Sequence, residues 1–271
     1  MSIAVFLQPH QLAHVRHVFV TEDEFFVADS WKRLEAIIRV EPVTVVIIDP
    51  AADGTMRIDA VASLLSRFPS LSFVGYVSLN AESFGAIAQL SRRGLQHVVL
   101  HRFDDSRERL QQTISRVRAN PPSQRMLALL APALKEVPLT LARAVRDMFE
   151  RPHRYGSVLD LATATDLPPV SVYRYLESAG IMTPKKLLMV AKLTRALTYL
   201  RDPGYSVREV AAKLGYKHAR ILTSHAIEVF QVTPSRVRSR LSDDDAIAML
   251  IRFIDLPDSA VKPRKRWAQP L

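Results

Sequence analysis

The chain has 271 residues, about twice the length of an average domain, which predicts two domains or one large one. Hydrophobic residues make up 48% of it and charged residues 24%, a balance that excludes a mainly disordered chain. The absence of cysteine excludes disulfides, thiolate metal sites and a cysteine nucleophile. Neither a signal peptide nor an apolar run of the roughly 18 residues that span a membrane is visible, so we expect a cytoplasmic protein.

The net charge of +10 is unevenly distributed. Residues 1–120 hold 13 Lys and Arg against 13 Asp and Glu, whereas residues 121–271 hold 24 against 14. All of the excess positive charge therefore lies in the second part. Such an asymmetry predicts a polyanionic partner for that part, with nucleic acid favoured over an anionic membrane surface.

The first 118 residues alternate between two periodicities. Short apolar runs rich in β-branched residues predict strands at 3–7, 25–28, 43–48, 71–77 and 98–100. Helical stripes separate them, and a last one, Leu110, Ile114 and Val117, ends the segment. Five strand-helix units predict an α/β domain over 1–118, with a five-stranded parallel sheet covered on both faces.

Two adjacent prolines within residues 120–123 mark the end of this domain. Residues 119–137 are predicted to be a linker that carries one apolar helical stripe, made of Met126, Leu127, Leu130 and Leu134. The stripe is compatible with a dimer helix and equally with packing on either domain of its own chain.

The remainder is predicted to be all-α. Helices are expected at about 124–136, 138–150, 157–164, 169–179, 184–201, 206–213, 218–229 and 234–254. Residues 242–271 would form the C-terminal helix and a basic tail, with the densest charge at 262–266.

One pattern occurs twice in the helical part. Each copy has a small residue in a first helix, a tight turn, and a second helix with apolar residues at i and i+4. These residues are Ala162, Val172 and Leu176 in the first copy, and Ala211, Leu222 and Ala226 in the second. Two copies joined by one helix favour a pair of helix-turn-helix units over ordinary helical hairpins.

Several short segments are specific in combination: GIMTP at 180–184, KLTRA at 192–196, YSV at 205–207, EVA at 209–211, LGY at 214–216, and FQVTP at 230–234 followed by Arg238. On these segments, residues 138–241 resemble the DNA-binding domain of AraC-type transcription regulators. The resemblance implies seven helices, with two helix-turn-helix units on a connecting helix that places two recognition helices in successive major grooves.

The same resemblance implies the DNA-reading residues. They are Pro169, Val170, Ser171, Tyr173 and Arg174 on the first recognition helix, and Ala219, Arg220, Thr223 and Ser224 on the second. The planar forks of the two arginines suit a guanine edge or a phosphate. Three positions depart from the family pattern, namely Gln231 for Gly, Ala226 for Phe and Ser224 for Arg, so the resemblance supports base reading by the first unit more strongly than by the second.

The first domain resembles a response-regulator receiver, a fold of the flavodoxin-like type. The resemblance places the phosphoacceptor on Asp49, the Ser/Thr on Ser78 and the Lys on Arg102. Gln8 and Pro9 occupy the place of the acidic pair that holds Mg²⁺, and without the ion the charge on a transferred phosphoryl group is uncompensated. We therefore expect a degenerate receiver in which Asp49 is not phosphorylated.

Histidines flank the first and fifth predicted strands. His10 and His101, with Asp49, would lie near one another in this fold and offer a metal or pH-sensing site. The alternative, which we favour, is that they are surface histidines without a metal. No cofactor is predicted.

These observations together predict a sequence-specific, DNA-binding transcription regulator of the AraC family. Its implied partners are double-stranded DNA, a second copy of the chain as a homodimer, and RNA polymerase, but no membrane. The alternative function is a protein-interaction adaptor that binds DNA non-specifically or binds an acidic partner. An enzyme is not predicted, because the spacing of the eight glycines allows neither a dinucleotide-binding motif nor a P-loop.

Overall fold

The computed structural model describes residues 2–19, 24–117, 121–181 and 183–254. Three features of the sequence analysis lie outside the described residues: the basic tail at 262–266, Met182 and the side chain of Val117. The predicted fold class is confirmed, since a five-stranded parallel sheet is followed by a wholly helical part. Among the helices described, none has the length and apolar character needed to cross a membrane.

The strands are β1 (Ser2–Phe6), β2 (Glu24–Val27), β3 (Val45–Ile48), β4 (Ser72–Val77) and β5 (His97–Leu100). They run parallel in the order β2-β1-β3-β4-β5, which is the flavodoxin-like doubly wound order. In this order the chain reverses direction across the sheet between β1 and β3. The loops at the carboxyl ends of these two strands therefore border a crevice, and Asp49 lies there.

Helices cover both faces of the sheet. They are α1 (Pro9–Val18), α2 (Trp31–Val40), α3 (Ile58–Arg67), α4 (Ala81–Arg92) and α5 (Arg107–Val117). Because side chains alternate along a strand, Ile3 and Val5 face α1 and α5, whereas Ala4 and Phe6 face the opposite side with α2 and α3. Both faces are apolar, which explains the nearly unbroken apolar runs in the strand sequences.

The helical part contains α6 (Pro121–Leu134), α7 (Leu139–Glu150), α8 (Val158–Thr165), α9 (Pro169–Ser178), α10 (Pro184–Arg201), α11 (Val207–Lys213), α12 (Ala219–Phe230), α13 (Val237–Arg240) and α14 (Asp243–Phe253). The single helix predicted at 234–254 is wrong. Leu241 is extended, and the Ser242 side chain accepts a hydrogen bond from the Asp245 N–H at 3.1 Å, which starts a new helix.

The apolar stripe of α6 belongs to the helical core. Met126 and Leu130 are fully buried and Leu134 nearly so, in a core to which α7, α10 and α14 also contribute. The stripe therefore packs on its own chain, and it is not available as the seam of a dimer helix.

The two parts of the chain share a packed junction, which the sequence analysis did not predict. Arg39 of α2 donates hydrogen bonds of 2.8 Å to the Glu209 carboxylate and to the Gly204 carbonyl. The Gly204 N–H donates to the Arg67 carbonyl at 2.7 Å, and the Lys213 ammonium donates to the Ile38 carbonyl at 2.6 Å. One buried apolar cluster runs from the sheet face under α2 and α3 into the helical part.

Candidate nucleic-acid interface

The first helix-turn-helix unit is α8, a tight turn and α9. The Ser157 hydroxyl accepts from the Asp160 N–H at 3.4 Å, and the Asp160 carboxylate accepts from the Ser157 N–H at 2.9 Å, so α8 begins in a capping box. Asp166 ends the helix in the left-handed conformation with φ 55°. The Leu167 N–H then donates to the Ala162 carbonyl at 3.2 Å, and α9 follows at once.

The second unit, α11 and α12, repeats this construction. Ser206 and Glu209 form its capping box, and Gly215 ends the first helix with φ 70°. A Cβ on Gly215 would lie 2.9 Å from the His153 carbonyl oxygen, so the turn requires glycine for space as well as for conformation. The Tyr216 N–H donates to the Ala211 carbonyl at 3.0 Å, as Leu167 does to Ala162 in the first unit.

Both second helices are anchored by the residues that the sequence pattern selected. Val172 and Leu176 of α9, and Leu222 and Ala226 of α12, are fully buried. Since these residues lie at i and i+4 on one face of each helix, the opposite face points away from the core. Each unit therefore presents one helix face outward.

The predicted DNA-reading residues lie largely on that outer face. On α9, Val170 is 78% exposed and Tyr173 42%, while Ser171 is half-buried. On α12, Thr223 donates its hydroxyl proton to the Ala219 carbonyl at 3.2 Å, and both residues are half-buried. Four further residues are exposed: Pro169, Arg174, Arg220 and Ser224. These exposures hold in the whole chain, so the α/β part leaves the faces open.

The family departures do not prevent the second unit from folding. Ala226 is fully buried, and Gln231 ends α12 in the left-handed conformation with φ 55°. The Gln231 N–H donates to the Ile227 carbonyl at 3.0 Å, which closes the helix despite a conformational cost of about 1 kcal/mol for a residue other than glycine.

Lys217 and His218 are candidate DNA contacts that the sequence analysis missed. Both are exposed in the turn before α12, and His218 is its N-cap residue. A cationic residue directly before a recognition helix is the signal that could have identified them, because the ends of such helices approach the phosphates.

Asp49, the candidate phosphoacceptor, is enclosed at the carboxyl edge of the sheet. It is 4% exposed, and its two carboxylate oxygens accept from the Gln11 side chain at 2.7 Å and from the Ala51 N–H at 2.8 Å. Burial raises the pKa of Asp49 above its usual value. Ser78 follows β4 and is half-buried, whereas Arg102 follows β5 and is exposed.

The histidines of the same edge do come together. The rings of His10 and His101 are 5.2 Å apart, but His101 Nδ1 lies 2.8 Å from Asp105, and Asp49 is occupied by Gln11. Although burial opposes it, hydrogen bonds from Tyr76, Arg102 and His101 lower the pKa of Asp105 to about 2. In the described ranges no group of three or more His, Asp or Glu side chains is placed to hold a metal ion, so the metal hypothesis gains no support.

Comparison with known proteins bears on the helical part alone. No curated protein and no solved structure matches the chain. Residues 161–240 match the family described as Helix-turn-helix domain, a range that begins within α8, ends with α13 and contains both recognition helices. The match supports an AraC-type DNA-binding domain at these residues, and with it a DNA-binding transcription regulator.

Proposed function

We propose that the protein is a sequence-specific transcription regulator that inserts α9 and α12 into two successive major grooves of double-stranded DNA. The observation that carries the proposal is the pair of capped helix-turn-helix units joined by the buried helix α10, each with an open outer face. A rigid connecting helix within one chain can set the spacing of about 34 Å that one DNA turn requires.

Each outer face offers a different chemistry to the groove. Arg174 and Arg220 are the base-reading candidates, because a guanidinium can donate two hydrogen bonds to one guanine. Val170 and Ala219 can contact a thymine methyl group, and Tyr173, Thr223 and Ser224 supply polar contacts. Lys217 and His218 lie beside α12 where the phosphate backbone would pass, and they would position the helix rather than select a sequence.

Selection of binding sites from random duplexes tests this function. We expect the full chain to enrich a motif of two blocks about one helical turn apart. Arg174→Ala is expected to lose the block that α9 reads and to keep the other, since the two helices act on separate grooves. Arg92→Ala, which removes an exposed arginine from α4 of the α/β part, is the matched control and should enrich the unaltered motif.

The same selection separates the regulator from an adaptor. A protein-interaction adaptor that binds DNA through charge alone would enrich no motif. Arg174→Ala would then lower only the total amount of DNA that the protein binds. That result would remove the sequence-specific function.

We propose a receiver-like α/β domain that works without phosphorylation of Asp49. The strand order and the place of Asp49 after β3 support the likeness, while the Gln11 side chain and the Ala51 N–H each donate one hydrogen bond to the carboxylate. Incubation with acetyl phosphate should leave the intact mass unchanged, because Gln8 and Pro9 stand where a receiver has the acidic pair that holds Mg²⁺. Asp49→Asn should bind DNA as the parent chain does. If acetyl phosphate adds the mass of a phosphoryl group to the parent chain but not to Asp49→Asn, the proposed independence from phosphorylation is refuted.

We further propose that the protein is a cytoplasmic homodimer and that it acts on RNA polymerase at promoters. Leu79, Phe84 and Phe103 are 51%, 68% and 67% exposed, and they follow the adjacent strands β4 and β5 at one edge of the α/β part. Exposed apolar groups of this size favour a contact with another protein surface, here a second copy. The selection would then recover the two-block motif in pairs.

A further inference from the structure

A cavity of about 280 Å³ lies at the junction of the α/β and helical parts. Its walls come from both parts of the chain, Thr44 from the sheet side and Tyr199 from the helical side among them. The charged and titratable side chains in the walls are Glu150, Arg151, His153, Arg195 and Lys213. The volume is slightly below the range of about 300–1,000 Å³ that is typical of ligand pockets, which limits an occupant to a small molecule.

Two cations are buried in the wall of this cavity. Arg195 is 7% exposed and Lys213 is 1% exposed, and both lie against the Tyr199 ring, at 4.8 Å and 5.0 Å from its centroid. Within the described ranges, neither has a carboxylate within 4 Å. Burial of a cation without an anionic partner is costly, and here two such charges share one wall.

In the part of the chain that the structure describes, no hydrogen bond of these cations goes to a carboxylate, although Glu41, Asp202 and Glu209 attract the Lys213 ammonium from further away. Arg195 donates to the Tyr199 hydroxyl at 3.1 Å, and Lys213 donates to the Ile38 and Glu41 carbonyls. All three acceptors are neutral oxygens. His153 adds a buried ring nitrogen, Nε2, which lies 3.6 Å from the Glu24 carboxylate, just beyond hydrogen-bond distance.

We propose that this junction cavity is the binding site of a small oxyanion that carries two negative charges. The anion, a phosphate or a dicarboxylate, would be held by Arg195 and Lys213. A planar guanidinium and an ammonium group bind such anions through charge-assisted hydrogen bonds. Since the cavity is walled by both parts of the chain, an anion in it would stabilise their docked arrangement, and it would provide a chemical signal that needs no phosphorylation. The site is separate from the DNA-reading faces of α9 and α12.

The pH dependence of binding follows from the surroundings of Lys213. Burial first, and then the positive charge of the neighbouring Arg195, lower its pKa to about 7. The groups that oppose this are Asp202 from the end of α10, Glu41 from the segment after α2 and Glu209 from α11, and the phenols of Tyr199 and Tyr205 also face it. An anion binds the protonated form, so affinity should fall as the pH rises above 7, and binding near neutral pH should take up protons.

Calorimetric titration of the full chain with inorganic phosphate, and separately with succinate, tests the site. We expect saturable binding of at least one probe with one site per chain, and the preferred probe distinguishes phosphate from carboxylate chemistry. Measurement with succinate, whose carboxylates are fully ionised at neutral pH, in two buffers of different ionisation enthalpy should reveal the proton uptake by Lys213. Arg195→Met should weaken binding about tenfold or more, the loss expected for a charge-assisted hydrogen bond.

Two controls locate the anion. Arg174→Ala removes a cation from the DNA-reading face and Arg92→Met removes one from the surface of α4, and both should leave the affinity unchanged. Absence of saturable binding by either probe would overturn the proposal, as would a loss of equal size in either control. The proton uptake is measured on the unaltered chain, so the proposal stays testable even if Arg195→Met fails to fold, and binding without uptake would argue against Lys213.

Discussion

Replacement of Gly204 with alanine is expected to lower the free energy of unfolding by about 1–3 kcal/mol, the usual cost of overpacking a tight contact. Gly204 is buried in the loop before α11, where its N–H donates to the Arg67 carbonyl at 2.7 Å. An added Cβ would lie 2.7 Å from that same oxygen and would overlap the Phe68 ring. The backbone oxygen cannot turn away as a side chain can, so the two parts of the chain must move apart.

Urea unfolding followed by circular dichroism measures this loss, and Gly85→Ala is the matched control. Gly85 lies within α4, and a Cβ there would meet nothing within 4 Å. Alanine in a helix interior should stabilise the chain by up to about 1 kcal/mol relative to glycine. Both variants replace a glycine with alanine, but the free energy of unfolding is expected to fall for Gly204→Ala and to rise for Gly85→Ala. Equal stability of both would mean that the packed junction does not persist in solution.

Much of the fold could be predicted because its signals are local. Runs such as Val45–Ile48 indicate buried strands, and the capping residues Ser157 and Ser206 fix the starts of α8 and α11 wherever those helices lie in space. The helix break at Leu241 was missed, although Ser242 followed by three aspartates at 243–245 is the typical sequence of a helix start.

The junction could not be predicted, because its determinants are unremarkable in the sequence. Gly204 follows a proline and is typical of a turn, and Lys213 occupies a helix position where lysine is usually exposed. Their roles arise only when α2 meets α11, and that contact joins residues more than 160 positions apart. The α6 stripe raised the same difficulty, since periodicity shows that a face is apolar but not what covers it.

The DNA-reading faces and the surroundings of Asp49 were predictable from the sequence to different degrees. The outward faces of α9 and α12 follow from the repeated pattern, because the buried pair at i and i+4 determines which face is outward. The DNA-reading residues on those faces come from the family resemblance instead. The state of Asp49 is less accessible to such reasoning. The missing acidic pair indicates that phosphorylation is unsupported, but only the coordinates show Gln11 bound to the carboxylate.

Combined replacement of Arg174 and Arg220 by alanine is expected to cause the largest loss of DNA affinity. Each bidentate contact to a guanine contributes about 1–3 kcal/mol of discrimination, so each single variant should bind the selected site about 5–150-fold more weakly. The two residues lie on separate helices, so the losses should be nearly additive in free energy. Fluorescence anisotropy at several fixed salt concentrations measures them.

The salt dependence decides what each arginine contacts. An arginine that reads a base should lose affinity for the selected site without a change in the salt slope, and binding to random DNA should be little affected. One that clamps a phosphate should weaken binding to all sequences and reduce the slope by about one. Arg174→Lys keeps the positive charge but cannot donate two parallel hydrogen bonds to a guanine. If Arg174 reads a base, this variant should lose affinity as Arg174→Ala does. If Arg174 contacts a phosphate, it should bind as the parent chain does. A uniform loss on random DNA for both arginines would contradict base reading and leave the helices as positioning elements on the phosphate backbone.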